Sequence, residues 1–152
     1  MITNEGLLLK GRVMIDMNGE RVRDIDNLVV TAGKNWVASR MQGVADDAMT
    51  HMAIGTGTTA ADVGDTTLET ESAASRIALT VAGGTASTNT LTFACTFAAD
   101  TPDVTAPATA AITEAGVFNN SSGGTMACRT VFNVINKGES DTMTITWVIT
   151  IS

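Results

Sequence analysis

The residue types needed for hydrolysis are present but not in a pattern that supports it. His51 is the single histidine of the chain, and a serine or cysteine hydrolase would need it as the base beside a nucleophile and an orienting acid. No Gly-x-Ser-x-Gly segment occurs, and Cys95 and Cys128 both alternate with apolar residues. We therefore interpret His51 as a half-buried strand residue and predict no catalytic residues.

Four acids lie close together in a polar segment. Asp62, Asp65, Glu69 and Glu71 could supply the oxygen ligands that Ca²⁺ prefers, but their spacing differs from the Asp-x-Asp-x-Asp-Gly pattern of calcium loops. Solvated loop acids are the favoured interpretation over a metal site. We predict no bound metal.

The segment Gly55-Thr-Gly-Thr-Thr-Ala60 formally matches the glycine pattern of a dinucleotide site. Such a site also needs a helix that begins there, so that its N-terminus meets the pyrophosphate. Here Asp62 and Asp65 follow instead, and acids repel phosphate. We interpret the segment as a structural turn and predict no cofactor.

Charge and composition exclude two further classes of partner. The 152 residues carry a net charge of −7, and residues 46–118 hold nine acids against one base, Arg76. Such a surface repels nucleic acid. No apolar run approaches the roughly 18 residues of a membrane span, and the first residues do not resemble a signal peptide. We expect one domain folded in a cytoplasm, with Cys95 and Cys128 as reduced thiols.

Residues 12–25 read as a β-hairpin. Asn18-Gly19 supplies the two residues with positive φ that a type I′ turn needs. Pairing outward from this turn sets Met17 against Glu20, Asp16 against Arg21 and Ile15 against Val22. The second pair predicts an ion pair across the strands.

One helix is predicted near residues 31–42. Thr31 can cap its start and Gly43 can follow its end. Val37 and Met41 form a short apolar stripe beside Trp36, while Gly33 should weaken the helix by about 1 kcal/mol relative to alanine.

The remaining chain reads as short strands separated by turns. The last strand is the clearest, because Met143, Ile145, Trp147, Ile149 and Ile151 alternate with polar or smaller residues. Strands every 8–12 residues predict an all-β fold, an antiparallel β-sandwich of jelly-roll or immunoglobulin-like type. We expect an N-terminal arm and hairpin over 1–26, a sandwich over 27–152, and pairing of the last strand with 125–132.

A resemblance adds a biological context. The phrases His51-Met-Ala-Ile-Gly-Thr-Gly-Thr-Thr, Ile112-Thr-Glu-Ala-Gly-Val-Phe118 and Ala127-Cys-Arg-Thr-Val-Phe132, in this order, resemble small bacteriophage virion structural proteins. They are also similar to an all-β module of phage tail-fibre and baseplate-associated proteins. The resemblance implies a non-enzymatic virion protein, a capsid decoration or cement protein, or alternatively a tail-fibre, neck or baseplate adaptor.

The expected partners and contacts follow from this context. Partners would be the major capsid protein or tail and baseplate proteins of the same phage, and a homo-oligomer is expected because small-residue cores gain stability by association. Glu114 is within an apolar strand and needs a cationic partner, either Arg76 or Arg129. The N-terminal part holds six of the nine bases, so we expect it to contact the particle. The predicted contact residues are Leu7, Leu8, Leu9, Arg12, Arg21 and Arg23.

Overall fold

The computed structural model describes residues 6–43, 47–102 and 109–152. Alternation of apolar and polar residues produces strands along most of this length, and one segment without alternation forms the helix. The elements are β1 (Leu9–Met17), β2 (Glu20–Val29), α1 (Thr31–Gln42), β3 (His51–Gly55), β4 (Ile77–Ala78), β5 (Thr85–Ser87), β6 (Thr90–Phe97), β7 (Thr109–Phe118), β8 (Met126–Gly138) and β9 (Met143–Ile151).

The strands form one antiparallel sheet of nine in the order β4-β3-β7-β8-β2-β1-β9-β6-β5. The sheet curls into a half-barrel, and past β4 the Thr80 N–H donates to the Ala94 carbonyl of β6 at 2.8 Å. The all-β, antiparallel prediction is confirmed. Two separate sheets, as in a jelly-roll or immunoglobulin-like sandwich, are not confirmed, because the hydrogen-bonded order is continuous.

The predicted pairing of the last strand with residues 125–132 is wrong. β9 lies between β1 and β6, with Trp147 opposite Val13 on one side and Phe93 on the other. β8 instead pairs with β7 and with the end of β2. The short connection 139–142 therefore crosses between facing parts of the curled sheet. Burial decides this arrangement, because the apolar face of β9 gains apolar neighbours on both sides.

The hairpin prediction is correct for the turn and for the first two strand pairs, and it is wrong for the third pair. Asn18 and Gly19 have φ of 50° and 83°, and Asp16 lies opposite Arg21. Ile15 pairs with Arg23 rather than Val22, because a bulge interrupts the register at this point. A bulge increases the local twist, and Ile15 stays fully buried. Both strands of the hairpin lie in the middle of the sheet, within the same core as the remaining strands.

The helix bounds are as predicted, but the helix is attached differently. Gly43 adopts φ of 80° and its N–H donates to the Arg40 carbonyl, as expected of a residue that ends a helix. Thr31 does not cap the start, since Val30 holds that position without a side-chain cap. Met41 is 75% exposed, so the predicted Val37 and Met41 stripe does not hold the helix on the sheet.

Gly33 is the residue that brings α1 close to the sheet. It is the buried residue of the helix, and a Cβ built on it would lie 2.0 Å from the Ala127 carbonyl oxygen of β8. The absence of a side chain therefore permits a helix–strand approach that other residues would prevent. Within the described ranges, this helix is too short and too polar to cross a membrane.

Candidate functional site

A buried carboxylate on the half-barrel accepts hydrogen bonds from the loop that carries the four acids. Glu114 on β7 is fully buried and accepts backbone N–H donors from Gly57 at 3.0 Å, Glu69 at 3.0 Å and Thr70 at 2.7 Å. The Gly57 donor is thus used within the protein, and after β3 ends at Gly55 residues 56–60 form an irregular loop. This agrees with a structural turn at the glycine pattern.

Arg129 completes the charge network. Its side chain is 3% exposed, and Nε and Nη2 donate to Oε2 of Glu114 at 3.0 and 2.9 Å. Nη1 donates to Asp65 at 2.6 Å and Nη2 to the Thr59 carbonyl at 3.1 Å. Burial alone would lower the pKa of Arg129. The hydrogen bonds to Asp65 and Glu114 outweigh burial, so the pKa lies above its ordinary value. Arg129 is therefore the partner of Glu114, as one of the two predictions stated.

Arg76, the other predicted partner of Glu114, forms an ion pair with Glu71 instead. Arg76 donates to both carboxylate oxygens of Glu71, at 2.9 and 2.6 Å, and its guanidinium lies 3.6 Å from the ring centroid of Phe118. Glu69 accepts from the Thr59 N–H at 2.8 Å. No group of metal-ligating side chains is found in the part of the chain that the structure describes. Here the four acids stabilise the conformation of the loop.

This network predicts a loss of stability in acid. Burial alone would raise the pKa of Asp65, but the Asp62 N–H and Arg129 bring it below its ordinary value of 3.8. A carboxylate with a depressed folded pKa stabilises above its unfolded pKa, and the contribution is lost as the pH falls through the folded pKa. The melting temperature should therefore decrease as the pH is lowered from about 5. The Asp65→Asn variant should have a lower melting temperature than the unmodified chain at pH 7, and its melting temperature should decrease less between pH 6 and pH 3. Parallel curves of melting temperature against pH for the two proteins would contradict this assignment.

The histidine and the two cysteines are hydrogen-bonded or buried. His51 on β3 places Nδ1 2.8 Å from Thr50 Oγ1, and burial lowers its pKa. Cys95 and Cys128 are free and buried, as expected, and burial raises the pKa of both thiols to about 12. A thiol with so high a pKa is a poor nucleophile at neutral pH.

The most exposed apolar surface lies where the N-terminal segment meets the helix. Leu7 is 64% exposed, Leu8 51% and Met41 75%, which is unusual for residues that are adjacent in space. They border a groove of about 340 Å³. Its lining residues are Leu7, Leu8, Leu9, Lys34, Val37, Ala38 and Met41. We call this feature the groove.

Both walls of the groove are attached to the sheet. On one side Leu8 and Ser152 exchange backbone hydrogen bonds of 2.7 and 2.9 Å, which extends the ladder beyond β1 and β9. On the other side α1 is held by the close contact of Gly33 with β8, and the Trp36 indole N–H donates to the Asp47 carbonyl at 3.0 Å. The exposed side chains of the groove therefore belong to segments that are hydrogen-bonded to or packed against the sheet.

The three predicted contact arginines lie on the hairpin and have partners within the chain. Arg12 donates to both oxygens of Asp24, at 2.8 and 2.6 Å, and Arg21 pairs with Asp16. Arg23 donates to the carbonyls of Asn133 and Val134, at 3.0 and 3.1 Å. These carbonyls belong to a bulge in β8, where three residues oppose Thr113. The structure therefore joins Leu7, Leu8 and Leu9 to the groove, while none of the three arginines lines it.

Four lining residues, Lys34, Val37, Ala38 and Met41, do not belong to the contact set expected from the sequence. The sequence pattern places Val37 and Met41 in a stripe that attaches the helix and indicates no role for Lys34 or Ala38. A signal was present, because residues 6–12 and 31–43 contain four bases and no acid, whereas the whole chain carries −7. Three acids lie against these segments: Asp24 pairs with Arg12, Asp26 lies opposite Arg12 on β2, and the Asp47 carbonyl accepts from Trp36.

The groove and the charge network thus form the two candidate regions, one exposed and one largely buried. The first can bind an apolar group beside a negative charge, and the second holds a loop in place. Comparisons with family models, with curated proteins and with solved structures found no match to this chain.

Proposed function

We propose that this chain is a non-enzymatic structural protein of a bacteriophage particle, most simply a capsid decoration or cement protein that binds the head. The observation that carries the proposal is the exposed groove on the half-barrel. A cluster of exposed leucine and methionine side chains on hydrogen-bonded backbone is typical of a protein-binding surface. The phage context comes from the resemblance of the strand phrases at 51–59, 112–118 and 127–132.

The composition of the groove favours binding over chemistry. Of its seven lining residues, six are apolar and one, Lys34, is charged. Apolar burial would supply most of the affinity, while the neighbouring bases would influence association rate and salt sensitivity. The acidic loop, fastened by Glu114 and Arg129, would then face away from the particle.

A tail-fibre, neck or baseplate adaptor is the second candidate. The same resemblance includes an all-β module of such proteins, and the groove would serve equally as an adaptor surface. The number of copies per particle separates the two locations, because a head decoration requires hundreds of copies and a tail component only a handful. In either location we propose a homo-oligomer, which is common among structural subunits.

The docking test must spare the sheet. Removal of residues 1–11 would delete the positions from Leu9 to Gly11 that pair with β9. The double variant Leu7→Ser/Leu8→Ser keeps the ladder and removes exposed apolar surface. We expect its occupancy on purified particles that lack the protein to fall at least tenfold, as for loss of a binding hot spot, with an unchanged melting temperature.

Val81→Ser provides the matched control, because Val81 is 51% exposed and does not line the groove. Its occupancy should equal that of the unmodified chain. Normal occupancy of the double variant would place the contact elsewhere. Failure of the unmodified chain to bind any particle from phage carrying its gene would contradict the proposed function itself.

A further inference from the structure

We infer that the partner of the groove is an acidic protein segment that inserts one apolar side chain flanked by carboxylates. This inference rests on the proposed function, since it specifies what the same surface recognises. It is carried by three observations on the described residues, namely the charge around the groove, the acidic loop at the start of α1, and the concave shape.

The first observation is local positive charge on an acidic protein. Lys34 is the charged residue that lines the groove. The two walls, residues 6–12 and 31–43, contain no acid, although the chain carries −7 overall. A basic surface on an acidic protein attracts acidic partners and repels basic ones.

The second observation is a charge polarity along the helix. The Thr31 N–H at the start of α1 donates to the Val63 carbonyl at 2.8 Å, so the acidic loop adjoins this end. Residues 55–75 hold four acids and no base. The groove begins one turn later, at Lys34, and extends along the helix to Met41. This arrangement would orient the molecule during approach, with the groove toward a negative surface.

The third observation is the shape of the surface. The groove is concave, with a volume of about 340 Å³, and the small side chain of Ala38 lies between Lys34 and Met41 on its helical wall. A concave apolar site accepts a projecting side chain. Stacking of nucleic-acid bases would need an aromatic platform, and none of the seven lining residues is aromatic. An acidic segment with an apolar residue matches both charge and shape.

The inference can be tested on the isolated full chain without a particle. The probe is a capped peptide of five residues with leucine between two pairs of glutamates. Methyl NMR resonances of Leu7, Leu8 and Met41 should shift on titration, while those of Val81 should not. A peptide with lysines in place of glutamates, and one with glycine in place of leucine, should each bind at least tenfold more weakly.

Substitution of one side chain then tests the charge contribution. Lys34→Glu should weaken the glutamate peptide about fivefold to tenfold at low salt, in line with reversal of one exposed ion pair. Lys34→Gln should have an intermediate effect, and Val81→Ser none. Both Lys34 variants should fold normally, because Lys34 is exposed on the helix.

Three results would overturn the inference. Equal binding of the lysine peptide would exclude an acidic partner, and stronger shifts with phosphatidylserine vesicles or duplex DNA would assign a different class of ligand. Shifts of the same methyl groups with protein concentration alone would show that a second copy covers the groove. Particle occupancy that depends on Leu7 and Leu8 despite any of these results would leave the proposed function standing and remove only the partner chemistry.

Discussion

Replacement of Arg129 by methionine should lower the free energy of unfolding by about 3–5 kcal/mol, the range observed when one member of a buried ion pair is removed. Glu114 is fully buried, and two of its hydrogen bonds come from the Arg129 guanidinium. Methionine fills a similar volume but leaves the Glu114 carboxylate with backbone donors alone. Asp65 would lose its cationic partner as well.

A double variant separates loss of charge from loss of packing. Glu114→Gln together with Arg129→Met removes the unpaired charge and should recover part of the lost stability, as measured by urea denaturation. Arg12→Met is the matched control, because the Arg12 and Asp24 side chains are 59% and 41% exposed, and it should change stability little. A loss below about 1 kcal/mol for Arg129→Met would show that water or rearrangement satisfies Glu114.

Gly33→Ala should destabilise the protein, although the same change stabilises most exposed helices. Alanine would gain about 1 kcal/mol in helix propensity, but its Cβ would lie 2.0 Å from the Ala127 oxygen and 2.7 Å from the Ala127 carbonyl carbon. These are backbone atoms of a central strand, so they cannot move aside at low cost. Overpacking of this kind costs about 1–3 kcal/mol. We expect a net loss near 2 kcal/mol, with the clash at the upper end of that range.

Asn35→Ala tests the sign of this prediction in the same helix. Asn35 is exposed, so alanine there should be neutral or stabilising by a few tenths of a kcal/mol. Thermal unfolding of the two variants gives the comparison. Equal or higher stability of Gly33→Ala would mean that α1 can shift away from β8 without loss. In that case α1, the helical wall of the groove, could move, and the methyl NMR shift of Met41 would differ between Gly33→Ala and the unmodified chain.

Local sequence patterns predicted the elements well, because their causes are local. The Asn18-Gly19 turn, the end of α1 at Gly43 and the strand at 90–97 each follow from a few neighbouring residues. The neighbours of β9 could not be predicted in this way. Alternation shows that β9 has one apolar face, but the choice between β8 and the pair β1 and β6 depends on how all nine faces close one core.

The candidate site was predicted on one wall only. Leu7, Leu8 and Leu9 are conspicuous as a run of three leucines. Met41 was misassigned because an apolar residue four positions after Val37 usually faces the core. Gly33 is on the same side of the helix as Val37, four positions later, and it packs against Ala127, whereas Met41 two turns beyond Gly33 is in solvent. A glycine inside a helix indicates weakness in the sequence, whereas here it permits the close approach of the helix to the sheet.

The position of β9 also has a consequence for how the chain is made. Its two neighbours, β1 and β6, are synthesised well before it, and neither can complete its ladder until residues 143–151 have emerged. Until then both strands expose unpaired edges, the feature that most readily recruits other chains. Pairing of Leu9 with Ile151 closes nearly the full length of the sequence, and such distant contacts form slowly. The barrel should therefore fold after translation of its last strand, and a high local concentration of nascent copies would compete with that closure.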